Sequence, residues 1–296
     1  MARPETTTVG QVVLARIEAQ ADVLAGLDDA VRADEPDAVH RMRVACRRLR
    51  SALRTFRRLF ATGATDELVA ELRWLGAALG RARDREVLTE RFTGQARELP
   101  AVCGPERVAR ALQRWGEAEY RRVWPEVVAA LDSPRRRALA DGLTALLADP
   151  PLRGRAERPA VPELARIAAR EQRRTGARVE AAVAAESAPA EERDRALHEA
   201  RKAAKRARYA GETAAPAVGA AAERYAERMK AVQDVLGEHQ DAVVAAAALT
   251  TQATPSGEPF ACGVLYAWQL TAATTARAHL PATWKRASKR KLARFR

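Results

Sequence analysis

His40-Arg41-Met42-Arg43-Val44-Ala45-Cys46-Arg47-Arg48-Leu49-Arg50 and, 158 residues later, His198-Glu199-Ala200-Arg201-Lys202-Ala203-Ala204-Lys205-Arg206-Ala207-Arg208 share one spacing: a histidine, then cations three, seven, eight and ten positions on. On a helical wheel of about 100° per residue, Arg43, Arg47, Arg50, Arg54 and Arg57 fall to one side of His40, and Arg58 lies in line with it. Met42, Ala45, Cys46, Leu49, Leu53, Phe56 and Phe60 take the opposite face, which reads as core. In the second stretch His198, Arg201, Lys205 and Arg208 form the stripe, Lys202 flanks it, and Ala200, Ala203, Ala204 and Ala207 face away. From Arg43 to Arg57 the row covers about 21 Å at 1.5 Å per residue. No Asp or Glu occurs between Val39 and Phe60, whereas a solvated helix face usually alternates charge at i and i+4. Such a row asks either for a linear polyanion or for acids on a neighbouring helix, with Asp66, Glu67, Glu71, Asp84 and Glu86 as candidates.

Two more segments recur in the same order. Leu14-Ala15-Arg16-Ile17 returns as Leu164-Ala165-Arg166-Ile167, an offset of 150, and Leu79-Gly80-x-x-x-Asp84 returns as Leu236-Gly237-x-x-x-Asp241, an offset of 157. Three anchors in register point to an internal duplication. Apolar residues recur at spacings of three and four throughout, without sustained alternation, so the chain reads as all-α.

Thr8-Val9-Gly10-Gln11 has capping-box form and opens a helix to about residue 31. Further helices are expected at 36–60, at 65–99 with a bend at Gly80, and from 105, with Pro125 kinking or ending that helix. Ser133-Pro134 reads as a cap followed by the first helical residue. Residues 149–162, rich in Pro and Gly, read as a linker. Beyond it, helices are expected at 163–186, 190–213, 218–250 and 259–280. The expected division is a first half at 1–150, a second half at 151–284 and a basic tail at 285–296.

With 296 residues, 47% of them hydrophobic, the chain is long enough to bury a core. A formal net charge of +13 draws anions. Only six of its 51 cations are Lys, and the planar fork of Arg suits bidentate contact with phosphate oxygens. Cys46, Cys103 and Cys262 are odd in number and far apart, which fits reduced thiols rather than a disulfide framework. Neither a signal sequence nor an apolar run of about 20 residues is visible, so a cytoplasmic protein without a membrane span is expected.

Val39 to Arg50 and Leu197 to Tyr209 resemble the two motifs of the CHAD family, named for a conserved-histidine α-helical domain. The resemblance implies two pseudo-symmetric four-helix bundles around a central basic cavity. It also implies binding of inorganic polyphosphate by His, Arg and Lys of the motif helices, without catalysis and without a cofactor. Carried over position by position, the contacting residues are His40, Arg43, Arg47, Arg50, Arg54, His198, Arg201, Lys202, Lys205 and Arg208. Arg48 and Arg206, about 80° off the stripe, are secondary, as are Arg16, Arg73, Arg166, Arg170, Arg173, Arg174 and Lys230 on adjacent helices. Ala207 departs from the family pattern, where a larger apolar residue is usual. CHAD domains often accompany a triphosphate-tunnel domain; this chain has no room for one, so a polyphosphate- or triphosphate-processing enzyme would be a separate partner. Association with polyphosphate granules follows as an expectation.

Nucleic acid is the rival ligand, since a basic groove binds backbone phosphates through counterion release. Aromatic residues make up only 5% of the chain and do not interleave with the Arg stripes, as a base-stacking platform requires. Metal ligation by His40 and His198 is disfavoured by their cationic neighbours, and no carboxylate cluster or activated nucleophile for phosphoester chemistry lies near the stripes. His239 has no counterpart in the first copy and reads as incidental. Asp84 and Asp241 either orient an Arg or cap a helix. The five Trp residues read as core packing.

Overall fold

A computed structural model describes residues 7–251, 259–289 and 295. Among them the fold is all-α, and the only β-type pairings are two isolated bridges, Thr8 with Pro159 and Phe60 with Leu152. The first half contains α1 (Val9–Ala25), α2 (Asp28–Arg32), α3 (Ala38–Thr55), α4 (Asp66–Arg97), α5 (Pro105–Asp132) and α6 (Pro134–Ala148). The second contains α7 (Ala160–Ala184), α8 (Ala190–Val218), α9 (Ala220–Thr251) and α10 (Pro259–Ala287).

The capping box forms: the Thr8 amide donates to Gln11 Oε1 at 2.8 Å and the Gln11 amide to Thr8 Oγ1 at 3.3 Å. Ser133 caps α6 through the Arg136 amide at 3.1 Å, with Pro134 at the first helical position. The first helix is shorter than expected because it ends at Gly26, and a separate turn, α2, carries the chain on. The second ends at Thr55 rather than Phe60, closing in a 3-10 turn over Arg57–Leu59. α4 runs unbroken through Gly80. Pro125 does not end α5; α8 runs through Pro216 and α10 through Pro281, both past their expected ends. All three prolines are exposed, so the carbonyl that each frees one turn earlier is on the side of the helix that water can reach.

Helices α3, α4 and α5 pack in series, with α1 on α3, and α7, α8, α9 and α10 pack in series in the second half. Across the halves α3 packs on α8, α1 on α7 and α8, and α4 on α10. The core ignores the expected boundary. One cluster joins Val13, Met42, Leu49 and Leu72 to Leu164, Ala204, Tyr225 and Met229, and a second joins Phe92 and Leu112 to Ala245 and Leu265. Met42, Leu49 and Leu53 are fully buried, each contributing roughly 1.5–3 kcal/mol of transfer free energy. Ala200, Ala204 and Ala207 are equally buried, and Ala207 keeps its core place despite its small size.

Residues 149–159 are less a linker than a strap. The Ala61 amide donates to the Pro151 carbonyl at 2.7 Å, the Arg153 amide to the Leu59 carbonyl at 2.8 Å, and the Val9 amide to the Arg158 carbonyl at 2.9 Å. Between these ties Ala156 is fully buried. Of the basic tail, Lys285, Arg286 and Ala287 complete α10 and Phe295 packs edge-on to Tyr225 at 6.0 Å; 290–294 and 296 lie outside the described residues. All three cysteines are buried, and burial pushes the Cys46 thiol up to about 12. The tryptophans pack as read: Trp74 beneath Arg135, Trp124 on Tyr120, Trp115 on Phe92, Trp268 in the second cluster and Trp284 against Gly176.

Candidate functional site

The apolar faces of α3 and α8 are held in the shared core, so their charged faces are left to meet each other. The Arg47 Nε donates to the Tyr209 hydroxyl at 2.5 Å, joining the two helices. Arg208 stands on the same ring, 5.4 Å from its centroid. Lys205 sits inside the resulting cluster. Burial first, and then repulsion from Arg201, Arg47, Arg43 and Arg50, pushes its amine down to about 7. Burial likewise lowers the Arg43 guanidinium, relieved by Asp84 and reinforced by Arg47, Arg201 and Arg83. Arg50 is lowered by burial and by Arg54, Arg47 and Arg73. The fold therefore brings Arg43, Arg47, Arg50, Arg201 and Lys205 together, with Arg54 and Arg73 at one end. Among the described residues no carboxylate lies within ion-pair distance of Arg47, Arg50, Arg54, Arg201 or Lys205.

Arg43 and Arg201 are positioned alike. Arg43 passes over Gly80 and its Nη2 reaches Asp84 Oδ1 at 3.5 Å. Arg201 passes over Gly237 and attracts Asp241, whose carboxyl burial nonetheless holds above its usual range. The Leu-Gly-x-x-x-Asp segments thus supply a flat surface and an acid that orient one cation of each stripe. His40 joins the first stripe; burial lowers its pKa, and Arg83 adds to the effect. The described contact of His198 is with α9, through Nδ1 and Gln240 Oε1 at 3.2 Å, and not with α3.

Other expected residues are diverted. Arg208 donates to Glu212 at 2.7 Å, and Arg16 and Arg48 reach the same carboxylate at 3.2 and 3.5 Å. Lys202 pairs with Glu199, Lys230 with Asp234, Arg166 with Glu163 and Arg170 with Glu171. The early end of α3 takes Arg57 and Arg58 off the stripe; with Arg54, Arg170, Arg174 and Arg206 they line a separate cavity of about 290 Å³. Arg173 lines a smaller one of about 160 Å³ beside Arg155, Arg166 and Arg170. Sequence reasoning missed Glu212, Tyr209 as the bridge, and Arg83, which pairs with Glu86 at 2.9 Å beside His40. Glu212 lies on α8 one turn past Arg208, an i,i+4 spacing that was there to be read. His239 is buried between Asp194 and the Ala273 carbonyl, at 3.2 and 3.4 Å, away from both stripes.

Among the described residues no group of three or more His, Cys, Asp or Glu side chains is arranged to hold a metal ion, and no helix is long and apolar enough to cross a membrane. Two Mycobacterium tuberculosis proteins, Rv2226 of strain H37Rv and MT2285 of strain CDC 1551, are each 35% identical over 284 residues. The match takes in 92% of this chain and 52% of each of theirs, so the chain spans about half the length of these relatives. The CHAD domain from the plant Ricinus communis superposes with a TM-score of 0.71 at 26% identity, over 100% of this chain and 95% of that one. PptA from Streptomyces chartreusis shares the fold, with a TM-score of 0.74 at 23% identity over 94% of this chain and 99% of its own. The CHAD domain model matches residues 15–250, and with the motif residues of α3 and α8 meeting as described, the chain belongs to the CHAD domain family.

Proposed function

We propose that the facing stripes of α3 and α8 bind inorganic polyphosphate and hold it without chemical turnover. The observation that carries this reading is Lys205, kept among Arg43, Arg47, Arg50 and Arg201 with no carboxylate at ion-pair distance. Assembling such a group costs electrostatic free energy that a chain of phosphates would return as charge-assisted hydrogen bonds. A ligand with one charge per repeat, extended along a row about 17 Å long from Arg43 to Arg54, answers that need better than a compact anion. His40, its pKa depressed, becomes a stronger donor once a polyanion favours its charged form. Arg54 and Arg73 extend the row; Arg208, Arg48 and Arg16 hold the bridge to α1 through Glu212. The protein then serves to localise the polymer, in cytoplasmic granules where it accumulates, or to present it to a separate polyphosphate- or triphosphate-processing enzyme.

The test is a competition at physiological salt, with labelled long-chain polyphosphate displaced by unlabelled polyphosphate, single-stranded RNA or duplex DNA. Polyphosphate is expected to win, with affinity falling steeply as salt rises. The quadruple variant Arg43→Glu, Arg47→Glu, Arg201→Glu, Lys205→Glu is expected to lose binding by more than roughly a hundredfold with its helical content intact. RNA as the stronger competitor, or tight binding by that variant, would overturn the reading.

A further inference from the structure

On one side the halves are tied through α1, α3, α7 and α8: Arg47 meets Tyr209, Arg16 and Arg48 meet Glu212, and Arg170 donates to the Thr55 carbonyl. Arg91 makes a different junction. From α4 its Nη2 and Nη1 donate to the two Glu238 oxygens on α9 at 2.7 and 3.3 Å, and its Nε donates to Gln269 Oε1 on α10 at 2.7 Å. Gln269 is fully buried, and its Nε2 donates to Gln95 Oε1 at 2.6 Å and to the Leu265 carbonyl at 3.2 Å. A guanidinium has no acceptor atom, so it fixes which way that amide faces. The second apolar cluster, with Phe92 and Leu112 against Ala245 and Leu265, crosses the halves here as well.

The face of α4 that carries Arg91 is the face beneath the first stripe. Gly80, Asp84 and Arg91 fall within about 40° of one another on the helix, with Arg91 about 16 Å along from Gly80. Arg43 crosses Gly80 and Arg201 crosses Gly237 on α9; Glu238 is the next residue. These two surfaces lie close. Burial raises the Asp241 carboxyl, and the charges that act on it are Arg201 and Glu238 of its own half and Arg91 and Asp84 of the other. Like charges push the gap apart, since beyond the effect of burial Arg201 is among the cations that depress the Arg43 guanidinium. The tie between Arg91 and Glu238 resists that opening. Arg91 itself has no hand left for a phosphate: Nε, Nη1 and Nη2 are all engaged and its side chain is 15% exposed. Nor does the internal repeat call for the junction. The 157-residue step that carries Gly80 and Asp84 onto Gly237 and Asp241 sets Ala248 at Arg91 and Arg81 at Glu238, and Arg81 pairs with Glu126 inside its own half.

We propose that Arg91 is a positioning residue for the polyphosphate site. Tied to Glu238 and Gln269, it holds the α4 and α9 surfaces, and with them Arg43 and Arg201, at the separation that lets one unbranched chain touch both stripes. This rests on the polyphosphate reading. It makes the junction a determinant of selectivity, because a cleft held to the width of a single chain excludes a duplex, whereas an opened one offers two separate basic faces to any polyanion.

The test measures binding of long-chain polyphosphate to the intact chain over a range of sodium chloride concentrations, with duplex DNA as competitor. The slope of log affinity on log salt reports how many phosphates are neutralised, a quantity that a loss of fold stability alone does not move. Glu238→Ala removes a negative charge, so charge alone predicts tighter binding of an anion. The positioning role predicts the opposite: binding about fivefold weaker, a slope reduced towards that of the double variant Arg201→Gln, Lys205→Gln, and duplex DNA competing several-fold better. Gln269→Met leaves the net charge unchanged, is expected to act in the same direction, and carries the test if Glu238→Ala does not fold. Unchanged or tighter binding by a folded variant, with wild-type slope and selectivity, overturns the proposal and leaves the polyphosphate reading standing. Weaker binding with wild-type slope and selectivity assigns the loss to general destabilisation and overturns it too. A wild type that binds no polyphosphate sinks the functional reading, and the positioning role falls with it.

Discussion

Arg43 lies across the α-carbon of Gly80: its Nε is 3.4 Å from where a β-carbon on Gly80 would sit, and Arg201 stands over Gly237 in the same way, at 3.6 Å. A β-carbon at that distance is in ordinary van der Waals contact, so the two positions tolerate a methyl group but nothing longer without moving the guanidinium. Gly80→Ala is expected to leave polyphosphate binding near wild type and to stabilise the helix by up to about 1 kcal/mol. Gly80→Leu should displace Arg43 and cost roughly tenfold in affinity while the circular dichroism spectrum stays helical. Equal binding by the two variants would show that Arg43 is not held by this surface.

Lys205 sets a pH dependence whose direction is fixed. Its amine is held near 7 in the fold, against the usual 10.5 of a lysine, so across that interval the unfolded chain binds more protons than the native one. Stability of the free protein should therefore rise with pH from about 7 towards the unfolded value, and the full penalty should be present below 7. Lys205→Met is expected to flatten this rise and to raise the melting temperature at pH 7. Bound polyphosphate favours the ammonium form, so binding should take up protons near neutrality, measurable as a buffer-dependent heat. A melting temperature of the wild type that does not change between pH 7 and 9, relative to Lys205→Met, would contradict this.

Glu212 carries three guanidinium partners on part-buried side chains. Glu212→Gln should cost on the order of 2 kcal/mol, because breaking such a cluster leaves cations without their counter-charge. Urea denaturation gives the loss directly. Since the freed arginines adjoin the site, added polyphosphate should restore more stability to this variant than to the wild type.

Glu163, nearly fully buried, is a second junction. Burial works against its charge, but hydrogen bonds from Arg155 and Arg166 and attraction to Arg158 hold its carboxyl below the usual range. The stabilisation is present above its ordinary value of 4.5 and is lost as pH falls through the lowered one. Glu163→Gln should therefore be less stable than wild type at neutral pH, with the difference closing in acid. A gap that persists at pH 3 would assign the loss to packing instead.

The α3 and α8 stripes were legible because one periodicity governs both the buried face and the charged one. Thr8 and Ser133 were legible as caps because their hydrogen bonds are local. What lay beyond reach was nonlocal. The end of α3 at Thr55 follows from the strap pairing with Leu59 and Ala61, and it removed Arg57 and Arg58 from the row. Helices continued through Pro125, Pro216 and Pro281 because those residues came to lie at the surface, a fact set by tertiary packing. Glu212 was in view as a residue but not as a hub, since two of its three partners come from α1 and α3.

The strap at 149–159 bears on how this protein can be taken apart. A composition-based boundary invites cutting there to obtain each half alone. The cut would strip the start of α1 of its Arg158 contact and the end of α3 of its pairing with 151–153, and it would open a hydrophobic core that both halves furnish. Expressed separately, the fragments should be insoluble or should regain structure only when mixed, so dissection of the two stripes has to proceed by substitution within an intact chain.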